Sequence, residues 1–191
     1  LLAPFGLQLK TLSDFESPLD VEETGTTFAA NATLKACQQA SHLRHWVLGE
    51  DGGLIVDALD GRPGVWSARY AGPRATDDAN IEKLLAEMQA IAWENREGRY
   101  VSHMTFADPH GIARAEAEGT CRGRITTARR GSGGFGYDPV FEIPEYHRTF
   151  GELGSTVKAI LSHRGRAMRR MVPQIVRLLC NKRTPRGKQR E

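Results

Sequence analysis

The amino-acid sequence predicts an α/β protein. Three stretches carry apolar residues at helical spacing, and between them lie short runs with the alternation or apolar density of strands. Glycine-rich turns separate many of these segments, and 191 residues suffice to bury one core without a metal or disulfide staple.

The elements follow in order. Thr24, Thr26 and Thr27 offer hydroxyl caps, and Phe28, Ala32, Ala36 and Ala40 recur at helical spacing. A helix is therefore expected over about residues 27–42, with Glu22 and Glu23 just before its N-terminus. Residues 46–48 and 54–56 read as two strands joined by an acidic glycine turn, 49–53, which would carry Glu50 and Asp51. After Thr76, Asp77 and Asp78 supply an acidic first turn, and Ile81, Leu84, Leu85 and Met88 form one apolar stripe of a scaffold helix. Residues 100–106 alternate as a strand, 108–111 form a turn, and 113–127 are expected to contain the returning strands of a meander. Residues 131–139 pack four glycines and a proline around Phe135 and Tyr137, a loop whose backbone can approach a ligand closely. Met168, Met171, Val172, Ile175 and Leu179 make a last helical face, in which Pro173 implies a kink or restart.

The formal charge of +3 is unevenly distributed. The last ten residues hold five basic side chains and one acidic, which leaves the preceding chain at −1. Residues 1–181 are therefore read as a single domain and 182–191 as a basic, disordered tail. Residues 1–60 hold nine acidic side chains against three basic ones, Lys10, Lys35 and Arg44. That division suits a metal-assisted phosphate enzyme, and equally an unevenly charged surface. No apolar run approaches the ~20 residues of a membrane helix. The chain opens without a signal-peptide pattern, and Cys37, Cys121 and Cys180 are too scattered for a disulfide framework, so a reducing cytoplasm is the expected setting.

Two constellations can carry chemistry. In the first, Glu50 and Asp51 on a rigid turn and Glu23 at a helix entry form an oxygen set suited to a hard cation such as Mg²⁺, with phosphate and water completing it. Acidic turn residues facing water are the competing reading. The second joins the 131–138 loop to residues 158–165. Phe135 and Tyr137 can stack on a base, Asp138 can accept from base N–H groups, and Lys158, His163 and Arg164 can neutralise phosphates or meet a purine carbonyl. A surface loop followed by a cationic helix start is the alternative. Cys37, His42 and His45 lack the fourth ligand and spacing of a zinc site, and residues 133–136 are not followed by the Gly-Lys-Ser/Thr of a P-loop.

Taken together, Glu22-Glu23-Thr24-Gly25-Thr26-Thr27-Phe28 with Asn31-Ala32, the segment 50–59, the segment 63–72, Gly134-Phe135-Gly136-Tyr137-Asp138-Pro139-Val140-Phe141 and Ser162-His163-Arg164-Gly165 resemble, in order and spacing, the non-canonical purine nucleoside triphosphate pyrophosphatases. The resemblance covers almost the whole chain up to the tail. It implies an elongated mixed sheet flanked by helices, two lobes around a central nucleotide-binding cleft, and a homodimer. It also implies Mg²⁺-dependent hydrolysis of ITP, dITP and XTP to the monophosphate and pyrophosphate, cleansing the nucleotide pool, with no membrane or specific nucleic acid as partner. Carried over residue by residue, it makes Glu23 a metal ligand and Asp51 both metal ligand and proton acceptor. Gly52, Phe135, Gly136, Tyr137, Asp138, Lys158, Ser162, His163 and Arg164 become substrate-binding residues.

The chain departs from the family pattern at two places. The family opens with a strand and a Ser/Thr-x-Asn-x-x-Lys phosphate loop, whereas this sequence resembles the stretch just after it, so an N-terminally incomplete domain is expected. Gly52 stands where the family usually has serine, and a serine restored there is expected to help turnover once the missing start is supplied. Two other readings remain: an inactive or repurposed nucleotide-binding relative, and a nucleic-acid module using the tail with Arg164, Arg166, Arg169 and Arg170 as phosphate contacts.

Overall fold

The structure is a computed structural model that describes residues 2–180, so the tail 182–191 lies outside the described residues. Its elements are helices α1 (Phe28–Leu43), α2 (Asp77–Glu87), α3 (Ser155–Leu161) and α4 (His163–Cys180), and strands β1 (Val47–Val56), β2 (Glu97–Ala107), β3 (Ala113–Ile125), β4 (Phe141–Ile143) and β5 (Arg148–Thr149). The α/β class read from the sequence holds. Among the described residues the sheet has the order β1-β2-β3-β4-β5, and every neighbouring pair is antiparallel. The expected mixed character is absent from these strands because sequential neighbours pair directly and none is joined by a crossover.

Helix starts fall where the hydroxyl caps predict. Thr27 Oγ1 accepts from Ala30 N–H at 3.1 Å, and Thr76 Oγ1 accepts from Ala79 N–H at 3.2 Å. The β2–β3 turn is held by Asp108, whose Oδ1 accepts from the N–H groups of His110 at 2.9 Å and Ile112 at 3.2 Å. Residues 113–127, expected to hold more than one strand, supply the single long strand β3. Pro173 lies inside α4, which runs on through it to Cys180.

The main correction concerns residues 46–56. In place of strand, turn and strand there is one continuous strand, β1, paired with β2 from Val47↔Ala107 to Val56↔Gly98. Its glycines serve close approach. A Cβ at Gly49 would lie 2.6 Å from Ala32 O and 2.9 Å from the Ala36 methyl of α1, and one at Gly53 would lie 2.8 Å from Gly64 O.

Strand alternation then sorts the two faces of the sheet. One face carries Gly49 and Asp51 and lies under α1, where Thr33 and Thr105 share a 3.1 Å hydrogen bond. The other face carries two apolar clusters. Met104, Phe106, Ala115 and Ala117 pack against Ala167, Met171 and Ile175 of α4. Leu54, Val56, Tyr100, Cys121 and Ile125 pack with Ile81 and Leu84 of α2, with Met88 at its C-terminal end, and with Phe141 and Phe150. Between the clusters runs a belt of polar or side-chain-free positions: Glu50 and Gly52 on β1, Ser102 on β2 and Gly119 on β3. A Cβ at Gly119 would run into His163 O and Ala167 N, so this glycine lets the start of α4 settle on the belt.

Arg96 ties the α2 end of the sheet together. Its buried guanidinium donates to the carbonyls of Ile125 at 2.7 Å, Met88 at 2.5 Å, Ile91 at 3.3 Å and Thr126 at 2.9 Å. Backbone oxygens, with no carboxylate among them, thus satisfy the buried charge. No described helix is long and apolar enough to cross a membrane.

Candidate active site

On the α1 side of β1, Asn31 and Lys35 lie one turn apart on α1 and both face Asp51. Lys35 Nζ is 2.9 Å from Asp51 Oδ1 and 3.0 Å from Glu23 Oε1, so one ammonium bridges the two carboxylates. Asn31, fully buried, accepts from Gly25 N–H at 2.8 Å and donates to Asp51 Oδ2 at 3.3 Å, fixing both the segment that carries Glu23 and the rotamer of Asp51. Burial raises the Asp51 carboxyl above its ordinary range, against the opposing hydrogen bonds and charge of Lys35. For Lys35, burial works the other way, but the hydrogen bonds and charges of Asp51 and Glu23 outweigh it and hold the ammonium above its usual value. The result is a carboxylate of raised pKa whose orientation is locked by Asn31 and Lys35.

Glu50 does not join this cluster. It points to the opposite face, where its carboxylate accepts from Ser102 Oγ at 2.8 Å, Arg164 Nε at 3.0 Å and Arg164 Nη2 at 3.1 Å. The three-carboxylate set read from the sequence is therefore two carboxylates, Glu23 and Asp51, because adjacent residues of a strand face opposite ways. Among the described residues no group of three or more His, Cys, Asp or Glu side chains is arranged to hold a metal ion. That includes Cys37, His42 and His45: His42 Nε2 lies 2.6 Å from Ser17 O and His45 Nδ1 2.6 Å from Leu43 O.

The third part is the loop around Phe135. Gly134 and Gly136 take positive φ, 83° and 60°, which glycine adopts without strain. Asp138, buried, accepts from Phe135 N–H at 2.8 Å and forms an ion pair with Lys158. Burial raises its carboxyl, with Lys158 opposing. Phe135 is left 55% exposed, with Lys158 Nζ 4.1 Å and the Arg164 guanidinium 5.1 Å from its ring centre. Asp77, at the start of α2, accepts from Gly136 N–H at 2.6 Å.

Several expectations change here. Tyr137 is not a second stacking wall: it is buried, and its hydroxyl donates to Ser67 O at 2.8 Å. His163 supplies no positive charge to a phosphate. It is buried, stacks on Tyr100 at 4.7 Å and 10°, and burial lowers its pKa to about 3, so it is neutral. Ser162 caps α4, its Oγ accepting from Gly165 N–H at 3.2 Å. Gly52 offers no side chain, and a Cβ there would run into Val101 O. The arginines considered as nucleic-acid contacts are engaged within the chain: Arg166 donates to Leu161 O, Arg169 to Ile160 O, Arg170 to Glu118 O and Arg164 to Glu50.

Lys35, Asn31 and Ser102 join the site through side-chain roles that the motifs did not assign to them. Lys35 carried a signal, being one of three cations among nine acidic residues in the first third, and it falls four residues after Asn31 in a helical pattern. β1 is the edge strand of the described sheet, so groups from both its faces reach one side. A cleft of about 360 Å³ along that edge is lined by Glu23 and Lys35 together with Glu50.

Fold and site together define an α/β protein with an acidic, lysine-bridged cleft at a sheet edge beside a cationic and aromatic clamp. The chain belongs to the Ham1 family, whose profile matches residues 1–174. It is 54% identical over 173 residues to the dITP/XTP pyrophosphatase of Rhodopirellula baltica, an alignment covering 91% of this chain and 83% of that one. Among solved structures it is similar to a HAM1 protein from Coxiella burnetii, with a TM-score of 0.79 at 35% identity over 86% of this chain and 89% of that one. The Staphylococcus aureus Ham1 protein gives a TM-score of 0.77 at 39% identity over 82% and 80%.

Proposed function

We propose that the protein hydrolyses non-canonical purine nucleoside triphosphates, ITP, dITP and XTP, to the nucleoside monophosphate and pyrophosphate. The observation that carries this reading is the Glu23–Lys35–Asp51 bridge on one face of β1, where the residue preceding Asp51, Glu50, holds the Arg164–Phe135 clamp from the other face. The dITP/XTP pyrophosphatase activity named for relatives of this chain supports it.

In this reading Asp51 is the general base. Asn31 and Lys35 fix its carboxylate, which takes a proton from a water. The water oxygen bonds to the α-phosphorus as the bond from that phosphorus to the bridging oxygen breaks, and pyrophosphate leaves with the electron pair. Phe135 supplies the ring on which the base stacks, and Lys158 and Arg164 supply positive charge beside it. The Arg164 N–H groups not used by Glu50 favour a purine carrying O6 over adenine, whose amino group leaves them unpaired; guanine also carries O6, so its rejection rests instead on its 2-amino group. His163 holds the clamp's base by stacking on Tyr100.

The donor set fits Mg²⁺: Glu23 Oε1 and Asp51 Oδ1 already converge on one cation, the Lys35 ammonium. Glu23 and Asp51 would hold the ion, which when bound offsets triphosphate charge, with water and phosphate completing its oxygens. A cytoplasmic homodimer belongs to the same reading, and a sedimentation mass of one 21.1 kDa chain at micromolar concentration would contradict the dimer. The test of function is a substrate panel with product analysis. ITP, dITP and XTP should release pyrophosphate with kcat/KM well above that for ATP or GTP. Equal turnover of ATP and ITP, or release of single phosphates, would overturn the reading.

A further inference from the structure

The geometry points to Glu50 as the positioning residue of Arg164, a role that rests on the pyrophosphatase reading above and concerns how its substrate clamp is set. Glu50 is next to Asp51 in sequence, yet its side chain shares no partner with the Lys35 bridge. Its carboxylate instead accepts three hydrogen bonds, one from Ser102 Oγ at 2.8 Å and two from the Arg164 guanidinium at 3.0 and 3.1 Å.

The arrangement defines where the guanidinium sits. A planar fork bound through two donors to a carboxylate is held in orientation as well as position, which a single-point ammonium contact would not achieve. Ser102, fully buried on the belt between the two apolar clusters, donates its hydroxyl to the same carboxylate and fixes it from the neighbouring strand. Arg164 also lies over Phe135, 5.1 Å from guanidinium carbon to ring centre. Glu50 thus ties the strand that carries the general base to the ring on which the base of the substrate stacks. Arginine has five N–H donors, of which Glu50 engages two; the other three remain for acceptors of the substrate. The carboxylate is only partly exposed, 23% at the side chain, against 49% for Arg164, so the fixed end of the pair is Glu50 and the presented end is Arg164.

The consequence is a residue that acts on substrate binding through Arg164 and leaves the chemical step alone. A double-mutant cycle on ITP hydrolysis tests it. Glu50→Gln should raise KM about 10-fold with kcat changed less than about 3-fold, the pattern of lost binding rather than lost chemistry. Arg164→Ala should do at least as much, and Glu50→Gln added to Arg164→Ala should change nothing further. Glu50→Asp, which keeps the charge, should recover most of the loss. The Mg²⁺ concentration for half-maximal rate should be unchanged by Glu50→Gln. Additive effects of the two substitutions, a fall in kcat matching the rise in KM, or a shifted Mg²⁺ requirement would overturn the assignment. A second readout needs no turnover: in a Phe135→Trp reporter, Glu50→Gln should change the emission and its quenching by iodide, and should have no effect once Arg164 is alanine. An unchanged reporter would refute the positioning role even if ITP were not a substrate, whereas a wild type that fails on ITP with a responsive reporter would refute the pyrophosphatase reading alone.

Discussion

Glu50 and Asp51 are adjacent in sequence and present their carboxylates to opposite faces of β1, Glu50 to Arg164 and Ser102, Asp51 to Lys35 and Asn31. Neutralising each should therefore have effects of different kinds. Asp51→Asn removes the proton acceptor while leaving the Phe135 clamp in place. It should lower kcat by about 10²-fold or more, the scale of general-base catalysis, and spare much of the nucleotide affinity. Steady-state kinetics with isothermal titration of ITP would separate the two. Retention of more than about a tenth of kcat, a loss under ~1.4 kcal/mol, would remove Asp51 from that role.

Position 52 gives a prediction opposite to the one its family resemblance suggests. Gly52 pairs with Ser102 across the β1–β2 ladder, and an added Cβ would meet Val101 O, a backbone atom that cannot turn aside, and would lie 3.0 Å from Ser102 Cα. Gly52→Ser should therefore cost about 1–3 kcal/mol of stability, as overpacking does, and lower the thermal midpoint. Calorimetry of the variant is the check. An unchanged midpoint with faster turnover would show that the strand accommodates the serine.

His163 sets a pH dependence of stability. Burial lowers its pKa from 6.5 to about 3, with Arg164 and Lys158 adding repulsion of the charged form. A depressed pKa means that the unfolded chain takes up the proton first as pH falls. The contribution is complete above pH 6.5 and is lost progressively between there and about 3, by up to about 1.4 kcal/mol per pH unit. His163→Phe keeps a ring against Tyr100 and cannot titrate, so its thermal midpoint should fall less steeply over that window. Parallel slopes for the two proteins would contradict the assignment.

Much of the fold was legible because its signals are local. The hydroxyl caps Thr27 and Thr76 and the stripe Ile81, Leu84, Leu85 and Met88 depend only on near neighbours in sequence, and α1 and α2 fall within two residues of where those signals place them. The 49–53 segment was misread because glycine there answers to distant partners: Ala32 and Ala36 for Gly49, Val101 for Gly52, Ser67 and Gly64 for Gly53. No local pattern distinguishes a glycine that turns the chain from one that admits another element. The same holds at the site. Glu23, Asp51, Phe135 and Arg164 were singled out from their motifs, but that Lys35 joins two of them, that Glu50 leaves the metal set for Arg164, and that Tyr137 and His163 are buried all follow from strand register and helix packing.

The position of oxygen label in the products tests the central claim most directly. Hydrolysis of ITP in water enriched in oxygen-18 with Mg²⁺ should place one labelled oxygen in the phosphate of IMP and none in pyrophosphate, as attack of an Asp51-activated water on the α-phosphorus requires. The labelled product should be lost together with turnover in Asp51→Asn. Label in pyrophosphate, or labelled single phosphate with IDP as the other product, would place the attack elsewhere and contradict the account.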